Sequence, residues 1–510
     1  MEYNLSKQIV EKEKVLLDTV CEQGVDMDIS LPDYCRDIEK ILKCTLSQNI
    51  YSRRVSGGQL TVDGASTVRI LYVDSENKNI RCFEQTVDFS QSFELKSSEK
   101  SSVVLVDTKT EYVNCRALTP RKLTVHGAFS LYVKVITKED EEFFCLDTDS
   151  DLQTKEKDIK VSSLCALCQE QFSVSEDFSV NDKPPVETVL SYDVCAEITE
   201  CKSVQDKLML SAEVSLNLMY LSDMETGEIE HISYVFLFNQ IVDCEGVDEY
   251  TANNCMLEVT SSDLHIRSDA VNESTLLSLD TKLCFTVFGY KETDVKIIED
   301  AYSTENMTDI VRNSITAVYD TKMIKSSCVE SQKITLDSVE IDRVIDVSGK
   351  IISVTASKNG DSPKLSCKAN ICMLFIDKEQ KPSYIERTVE YDCTVSGTYD
   401  FDVIKNPMGF IASVSYRLLS DCEIELRLET KLSCLLCKEV RSNAVCSVTS
   451  FDDKPIEKGT SALILCYADK GESIWDISKS YSTRPSRLLE ENSLDCEILQ
   501  NPMMLLIPTD

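Results

Sequence analysis

The sequence predicts a mainly β chain in which three tandem sandwich-like or barrel-like modules precede a small β-α-α-β unit. A hairpin pattern recurs about every 150 residues, and Asn, Asp and Ser form most turns of a chain with only 14 glycines. In the C-terminal stretch, two strand patterns flank two helix patterns. At 510 residues, the chain is too long for one hydrophobic core. We expect modules at residues 1–150, 151–305 and 306–450, and the small unit at 462–510.

The repeated hairpin has an apolar first strand that ends in an aromatic residue, an acid-rich turn, and a second strand with alternating apolar positions. Its copies lie at residues 69–90, 217–239 and 371–393, with the aromatic residues Tyr72, Tyr220 and Phe375. Such alternation is typical of half-buried antiparallel strands. Short motifs keep the same spacing on both sides of the hairpin, namely IEKIL, VETVL and IDRVI upstream and VHGAF, LDTKL and LETKL downstream. Repeats of this length are tandem domains and not solenoid units.

Polar stretches predict the links between the modules, at residues 155–160, 300–309 and 450–461. Because polar links favour independent domains, we expect each module to close on its own core. Residues 6–20 are ambiguous. The spacing of Leu5, Ile9, Leu16 and Val20 favours a helix there, whereas the stretch VLLDTV is typical of a strand.

Acidic side chains dominate the charge, with 87 acidic residues against 53 basic ones and a net charge of -34. This charge repels nucleic acid and anionic membranes, so it favours either solubility alone or the docking of a basic protein. Residues 1–20 lack a secretory signal, and no run of about 18 apolar residues could cross a bilayer. We expect a cytosolic chain without membrane insertion. Its 23 cysteines should be mostly reduced and serve as small core residues.

Enzyme motifs are not found in the sequence, so we expect no catalytic residue, no cofactor and no metal site. The three histidines, His126, His231 and His265, are isolated from one another. Two CxxC pairs could form a zinc site, at residues 165–168 and 434–437. The second pair lies in a predicted strand, where residues three apart point to opposite faces and cannot bind one ion.

Residues 463–508 resemble LysM domains over their full length. The resemblance rests on an apolar first strand, the motif Ile474-Trp475-x-Ile477, and a returning Leu-Leu-Ile-Pro strand. Ser473 and Thr483 are placed to cap the two helices, and Trp475 is expected in the core. Gln500-Asn501-Pro502 replaces the Pro-Gly turn of the family, and Asn can adopt the positive φ that Gly supplies.

The LysM resemblance implies a ligand groove between the loop after the first strand and the loop before the last one. The positions that match this groove are Gly471, Glu472, Ser473, Ile474, Leu499, Gln500, Asn501 and Pro502. These residues could instead only shape turns and caps. The family resemblance leaves both a glycan and a protein open as the ligand of the groove.

The stretches DISLPDYCRDIEKIL (28–42) and GGQLTVDGASTVRILYV (57–73) resemble the SPOCS domain of endospore-forming clostridia. Proteins that combine SPOCS repeats with a terminal LysM domain include a spore coat morphogenesis protein. The resemblance implies a non-enzymatic scaffold in the mother-cell cytosol, at the forespore surface, whose LysM domain tethers a SpoIVA-like coat-assembly ATPase. The alternative is a protein that binds peptidoglycan or other N-acetylglucosamine polymers of the cell wall or cortex.

Overall fold

A computed structural model of the chain describes residues 2–3, 5–95, 102–146, 151–180, 183–269, 274–336, 339–456 and 463–508. Strands make up 80% of the structure and helices 3%, so the prediction of a mainly β chain is confirmed. None of the helices in these residues has the length and apolar character that crossing a membrane requires.

The first segment consists of six strands in two antiparallel three-stranded sheets. These are β1 (Leu5–Ser30), β2 (Ile38–Ser56), β3 (Gln59–Asp74), β4 (Ile80–Glu94), β5 (Ser102–Thr119) and β6 (Lys122–Leu146). The hairpin sheet has the order β2-β3-β4, and the long-strand sheet has the order β1-β6-β5. Leu60 and Val62 of β3 pack with Leu123 and Val125 of β6, all buried, so the two sheets enclose an apolar core.

The next two segments repeat this strand order. The second contains β7 (Leu152–Val180), β8 (Thr188–Val204), β9 (Lys207–Leu221), β10 (Ile229–Asp243), β11 (Ala252–Asp269) and β12 (Ser274–Ser303). The third contains β13 (Asn306–Thr335), β14 (Ile341–Asn359), β15 (Ser362–Asp377), β16 (Pro382–Thr394), β17 (Val403–Ser420) and β18 (Glu423–Pro455). Their hairpin sheets are β8-β9-β10 and β14-β15-β16, and their long-strand sheets are β7-β12-β11 and β13-β18-β17.

All three hairpins expected from the sequence are present as paired strands. An aspartate closes each turn. Asp74 Oδ1 accepts hydrogen bonds from two backbone amides at 3.1 and 2.7 Å, and Asp223 Oδ1 does the same at 2.7 and 3.2 Å. Asp377 Oδ1 accepts one backbone amide at 2.9 Å. Acidic residues in these turns therefore have a local structural role, because each aspartate carboxylate accepts hydrogen bonds from backbone amides in place of a backbone carbonyl.

Residues 6–20, which the sequence pattern left open between helix and strand, belong to β1, which runs as one strand from Leu5 to Ser30. It pairs with β6 along its whole length, with a bulge between Val15 and Leu17. Val25, Met27 and Ile29 are buried at alternate positions, as a strand with one face on the core requires. Pairing with a distant strand overrides the local helical spacing.

Each segment has an apolar core of its own, and the segments also share buried side chains with one another. One apolar group brings the hairpin sheets of all three segments together, and consists of Leu71, Ile80, Leu190, Met219, Leu221 and Leu374. Another joins their long strands, and consists of Val10, Phe143, Ile159, Val161, Val295, Ile297, Ile315 and Ala444. We call these two groups the junction. The Arg81 guanidinium adds a hydrogen bond to the Met224 carbonyl at 2.7 Å, between the first and second hairpins.

The domain limits expected from the sequence can be placed on these strands. The limits at 150 and 462 lie outside the described residues, and the limit at 305 falls between β12 and β13. Residue 450 lies within β18, where Ser450 pairs with Thr308.

The C-terminal unit contains two strands and two short helices. These are β19 (Ile464–Ala468), α1 (Ile474–Ser480), α2 (Pro485–Glu491) and β20 (Met503–Ile507). Its core consists of Ala468, Ile474, Ile477, Leu488, Leu499, Leu505 and Ile507. The Asn492 amide joins α2 to β20, because its Nδ2 donates to the carbonyls of Leu488 and Leu506, both at 2.8 Å. Its Oδ1 accepts from the Leu506 amide at 2.7 Å.

The helix caps differ from those expected. Ser473 occupies the N-cap of α1, but its side chain makes no capping hydrogen bond. Arg484, and not Thr483, is the N-cap of α2, with Pro485 at the start of the helix. Thr483 is instead buried.

Candidate binding site

The two loops that the LysM resemblance assigns to a ligand groove lie side by side in the C-terminal unit. The Gly471 amide donates to the Leu499 carbonyl at 2.8 Å, and the Leu499 amide donates to the Glu472 carbonyl at 3.0 Å. Ser473 and Ile498 form an antiparallel bridge. Gly471 has φ +92, a conformation that favours glycine. The structure therefore brings the expected residues together, but backbone hydrogen bonds join the two loops.

The exposure of these residues divides them into two groups. Ile474 and Leu499 are 1% and 2% exposed and belong to the core of the unit, so their side chains are not available to a ligand. Ser473 is half-buried. The exposed positions are Gly471, Glu472, Gln500, Asn501 and Pro502. We call Glu472, Gln500, Asn501 and Pro502 the loop surface.

Asn501 does not take the role expected of it. The residues of this unit with positive φ are Gly471, Ser482 and Ser493, and Asn501 is not one of them. Within the loop surface, Glu472 has a local structural role as well, because its Oε2 accepts a hydrogen bond from the Asp469 amide at 2.9 Å. This bond stabilises the turn between β19 and α1.

Trp475 lies outside the core of the unit, so the core position expected for it is wrong. Its side chain packs edge-on against Tyr302 of β12, with ring centroids 5.0 Å apart and an interplanar angle of 66°. Its Nε1 donates to Asp300 Oδ2 at 2.9 Å. The only tryptophan of the chain therefore fixes the C-terminal unit to the second segment.

Asp300 is the electrostatic centre of this contact. Lys479 Nζ of α1 donates to both of its carboxylate oxygens, at 2.8 and 2.6 Å, and Arg312 Nη2 of β13 lies 2.5 Å from its Oδ1. Burial by itself would raise the pKa of Asp300, but the hydrogen bonds from Lys479 and Trp475 outweigh burial and hold the pKa below its ordinary value. The charged carboxylate is therefore the form that the docked arrangement stabilises.

Tyr302 completes the contact, which we call the dock. Its hydroxyl donates to the Thr483 carbonyl at 2.6 Å, and its side chain is only 4% exposed. Burial is the main reason that the pKa of Tyr302 is raised. Asp300 and Tyr302 were not expected in this role from the sequence, because both lie in the polar stretch 300–309 that is typical of a link. The signal that the sequence offered was an aromatic residue two positions after an acidic one within a stretch that is otherwise polar.

Docking through α1 leaves one face of the β19-β20 sheet open to solvent. Four large apolar side chains between 55% and 63% exposed lie there: Leu465 and Tyr467 at alternate positions of β19, Met504 of β20, and Leu463 just before β19. We call them the sheet face. Tyr467 and Met504 are cross-strand partners, next to the Ala468 and Met503 pair at the loop end of the sheet. An apolar group of this kind on a small domain is typical of an interaction site.

A second exposed apolar surface lies on β10, an edge strand of its sheet. Val235, Leu237 and Ile241 are exposed on its outer side, and residues 231–242 contain no Asp, Glu, Lys or Arg. The equivalent strands β4 and β16 are also edges, but both carry several charged residues. Charges on edge strands discourage pairing with other chains, so β10 lacks a protection that its counterparts have.

The residues considered for catalysis or metal binding do not assemble into a site. His126 and His265 are exposed beside Asp26 and Asp280. Cys434 and Cys437 are buried in different apolar clusters, as expected for opposite faces of a strand. Across the described part of the chain, no group of three or more His, Cys, Asp or Glu residues could hold a metal ion.

Comparison with known families gives one match. The family model described as SipL, SPOCS domain matches residues 37–118 and 185–267. These ranges cover equivalent parts of the first two segments, from β2 into β5 and from β8 into β11. The matched parts of the first two segments are therefore similar to SPOCS domains. No curated protein and no solved structure matches the chain.

Proposed function

We propose that this chain is a non-enzymatic scaffold of endospore coat assembly, acting in the mother-cell cytosol at the forespore surface. Three repeated segments of SPOCS type would form its body, and the C-terminal unit would be a LysM domain that tethers a coat morphogenetic protein, a SpoIVA-like ATPase. The SPOCS match in two segments supports the link to sporulation. The third segment has the same strand order as these two.

The observation that carries the proposal is the orientation of the C-terminal unit. Its helix α1 is fixed to the second segment through Asp300 and Tyr302, whereas the loop surface and the sheet face are exposed. A fixed small domain that presents an apolar face loses little conformational freedom when a partner binds. Glycan binding is the less favoured function, because backbone hydrogen bonds join the two loops that would border a glycan groove.

Single substitutions in the full chain can test separately whether the sheet face and the loop surface contact the ATPase. Leu465→Lys places a charge on the sheet face, and Asn501→Lys places one on the loop surface. We expect at least one of them to weaken binding of a purified SpoIVA-like ATPase about tenfold or more, as measured by biolayer interferometry, which corresponds to about 1.4 kcal/mol. Both positions are exposed, so the melting curve should not change.

Val20→Lys is the matched control, because Val20 is an exposed apolar residue of β1. It should bind the ATPase as the natural chain does. Wild-type affinity in both C-terminal variants would contradict the tethering role of this unit. Tight binding of chitin oligomers without binding of the ATPase would instead assign the unit to glycans.

A further inference from the structure

A cavity of about 650 Å³ lies where the second segment meets the third. Its walls come from the end of β8, from β11, and from Met323 and Lys325 of β13. Two thiols line it, those of Cys201 on β8 and Cys255 on β11. The Sγ atoms are 3.4 Å apart, within hydrogen-bonding contact.

The two cysteines belong to different sheets of the second segment. β8 lies in the hairpin sheet and β11 in the long-strand sheet, and no strand pairing connects the two sheets. Among the described residues, side-chain contacts join the sheets here, including a hydrogen bond from Asn253 Nδ2 to Ser203 Oγ at 2.5 Å. A bond between the two sulfurs would join them covalently across this open side of the sandwich.

The third segment already contains a bond of this type. Cys328 of β13 and Cys393 of β16 form a disulfide between its long-strand sheet and its hairpin sheet, with Cα atoms 6.0 Å apart. The other 21 cysteines are free thiols. The two sheets of a segment can thus approach closely enough for a disulfide.

The surroundings of Cys201 favour its reactive form. The hydrogen bond from the Cys255 thiol lowers the pKa of Cys201, burial opposes this, and the charge of Lys325 lowers the pKa further. Lys325 is held in place because its Nζ donates to the Ile198 carbonyl at 3.3 Å. The thiolate is the nucleophilic form of cysteine, and both thiols are partly exposed beside the cavity.

We propose that Cys201 and Cys255 are a modification site at which a peroxide that enters the cavity forms a disulfide between β8 and β11. The Cys201 thiolate attacks one oxygen of hydrogen peroxide, the O–O bond breaks, and a sulfenic acid forms with release of hydroxide, which takes up a proton as water. The Cys255 sulfur then attacks the Cys201 sulfur. The S–O bond breaks, and the second oxygen leaves as water with the thiol proton. Two thiols and one peroxide give one disulfide and two waters.

The test uses the full chain, treated with a small excess of hydrogen peroxide, denatured without reductant, alkylated and analysed by peptide mass spectrometry. We expect a peptide pair linked through Cys201 and Cys255, formed faster than any link involving a half-buried thiol such as Cys446. Lys325→Gln should slow its formation severalfold, because the positive charge beside Cys201 is lost. Recovery of both cysteines as alkylated thiols would overturn the proposal.

Thermal unfolding gives a second readout. Peroxide should raise the melting temperature of the natural chain by several degrees and leave that of Cys255→Ser unchanged, since a disulfide restricts the unfolded chain. If Cys255→Ser does not fold, Cys201→Ala serves as the comparison. Sulfinic acid at Cys201 without a linked peptide, or an equal rise in melting temperature in the variants, would exclude the disulfide.

Discussion

The junction between the repeated segments and the dock of the C-terminal unit are held together by different forces. The junction consists of buried aliphatic and aromatic side chains from all three segments. The dock depends on one carboxylate, Asp300, with Lys479, Arg312 and Trp475 as partners, and on Tyr302. The free energy of apolar burial is roughly proportional to the buried area and changes little with salt or pH, whereas the free energy of a charged contact depends on both salt and pH. The segments should therefore unfold as one body, from which the C-terminal unit can separate.

The largest effect is expected at Ile474, which the sequence analysis placed in a ligand groove and the structure places in the core. Ile474→Lys puts a charge in the apolar core of a unit of about 45 residues. A buried unpaired charge costs several kcal/mol, which is more than such a small unit can spare. We expect the C-terminal unit to unfold while the main calorimetric transition of the segments keeps its temperature. Native fluorescence of Trp475 in this variant would contradict the core position.

The next effect tests the junction. Leu221 is fully buried in the apolar group shared by all three hairpin sheets. Leu221→Ala should lower the free energy of unfolding by about 3 kcal/mol through lost transfer energy and a cavity. Because the group is shared, urea unfolding should remain a single transition that shifts as a whole. Leu237→Ala on exposed β10 is the control and should change stability by less than about 0.5 kcal/mol. A separate transition for the second segment would show that the segments are independent.

The sequence could predict local features, but not the contacts between distant parts of the chain. Hairpins were predicted correctly because alternation and acid-rich turns are encoded within about 20 residues. Residues 6–20 of β1 could not be decided between helix and strand, since β1 is stabilised by β6, more than 90 residues away along the chain. Trp475 was expected in the core because a module this small needs a large aromatic anchor. Its actual partners, Asp300 and Tyr302, lie in a stretch whose polarity is typical of a link. Ile474 and Trp475 are adjacent, and only tertiary packing decides which of them is buried.

Asp300→Asn tests the dock at its charged centre. The substitution keeps the shape of the side chain but removes the charge that Lys479 and Arg312 face. Hydrogen bonds between charged groups contribute about 1.5–3 kcal/mol, so docking should weaken by about 2 kcal/mol. Trp475 is the only tryptophan, and its emission should shift to longer wavelength as it becomes exposed. Asp309→Asn, a nearby exposed substitution, should leave the emission unchanged.

Lowering the pH should weaken docking as Asp300→Asn does, but reversibly. The pKa of Asp300 is lowered in the docked state. The stabilisation of docking by its charged carboxylate is therefore complete above the ordinary aspartate pKa of about 3.9, and it is lost as the pH falls through the lowered pKa. The emission of Trp475 should therefore be constant from neutral pH to about pH 4 and change below it. Asp300→Asn should lack this step. An emission change centred near pH 6 would assign the effect to another group.

The smallest effect is expected at Thr483, where the dock contains a buried polar group without a partner. The backbone of Thr483 is well used, because its amide donates to Ser478 at 3.0 Å and its carbonyl accepts from Tyr302 at 2.6 Å. Its Oγ1 is buried and makes no hydrogen bond with the residues that the structure describes. Burying an unpaired hydroxyl is unfavourable, so Thr483→Val, which keeps the shape of the side chain, should stabilise the docked unit by up to about 1 kcal/mol.

Urea unfolding followed through Trp475 fluorescence measures this change. Thr483→Ser is the control, because it keeps the hydroxyl and removes a buried methyl group, and it should destabilise the unit by about 1 kcal/mol. If Thr483→Val instead lowers stability more than Thr483→Ser does, the Thr483 hydroxyl has a hydrogen-bond partner such as a bound water. If Val stabilises, the dock is a contact that a single methyl group improves. A destabilising Thr483→Val would show that the dock is as well packed as the junction. A stabilising Thr483→Val would show that the dock is the weaker of the two contacts.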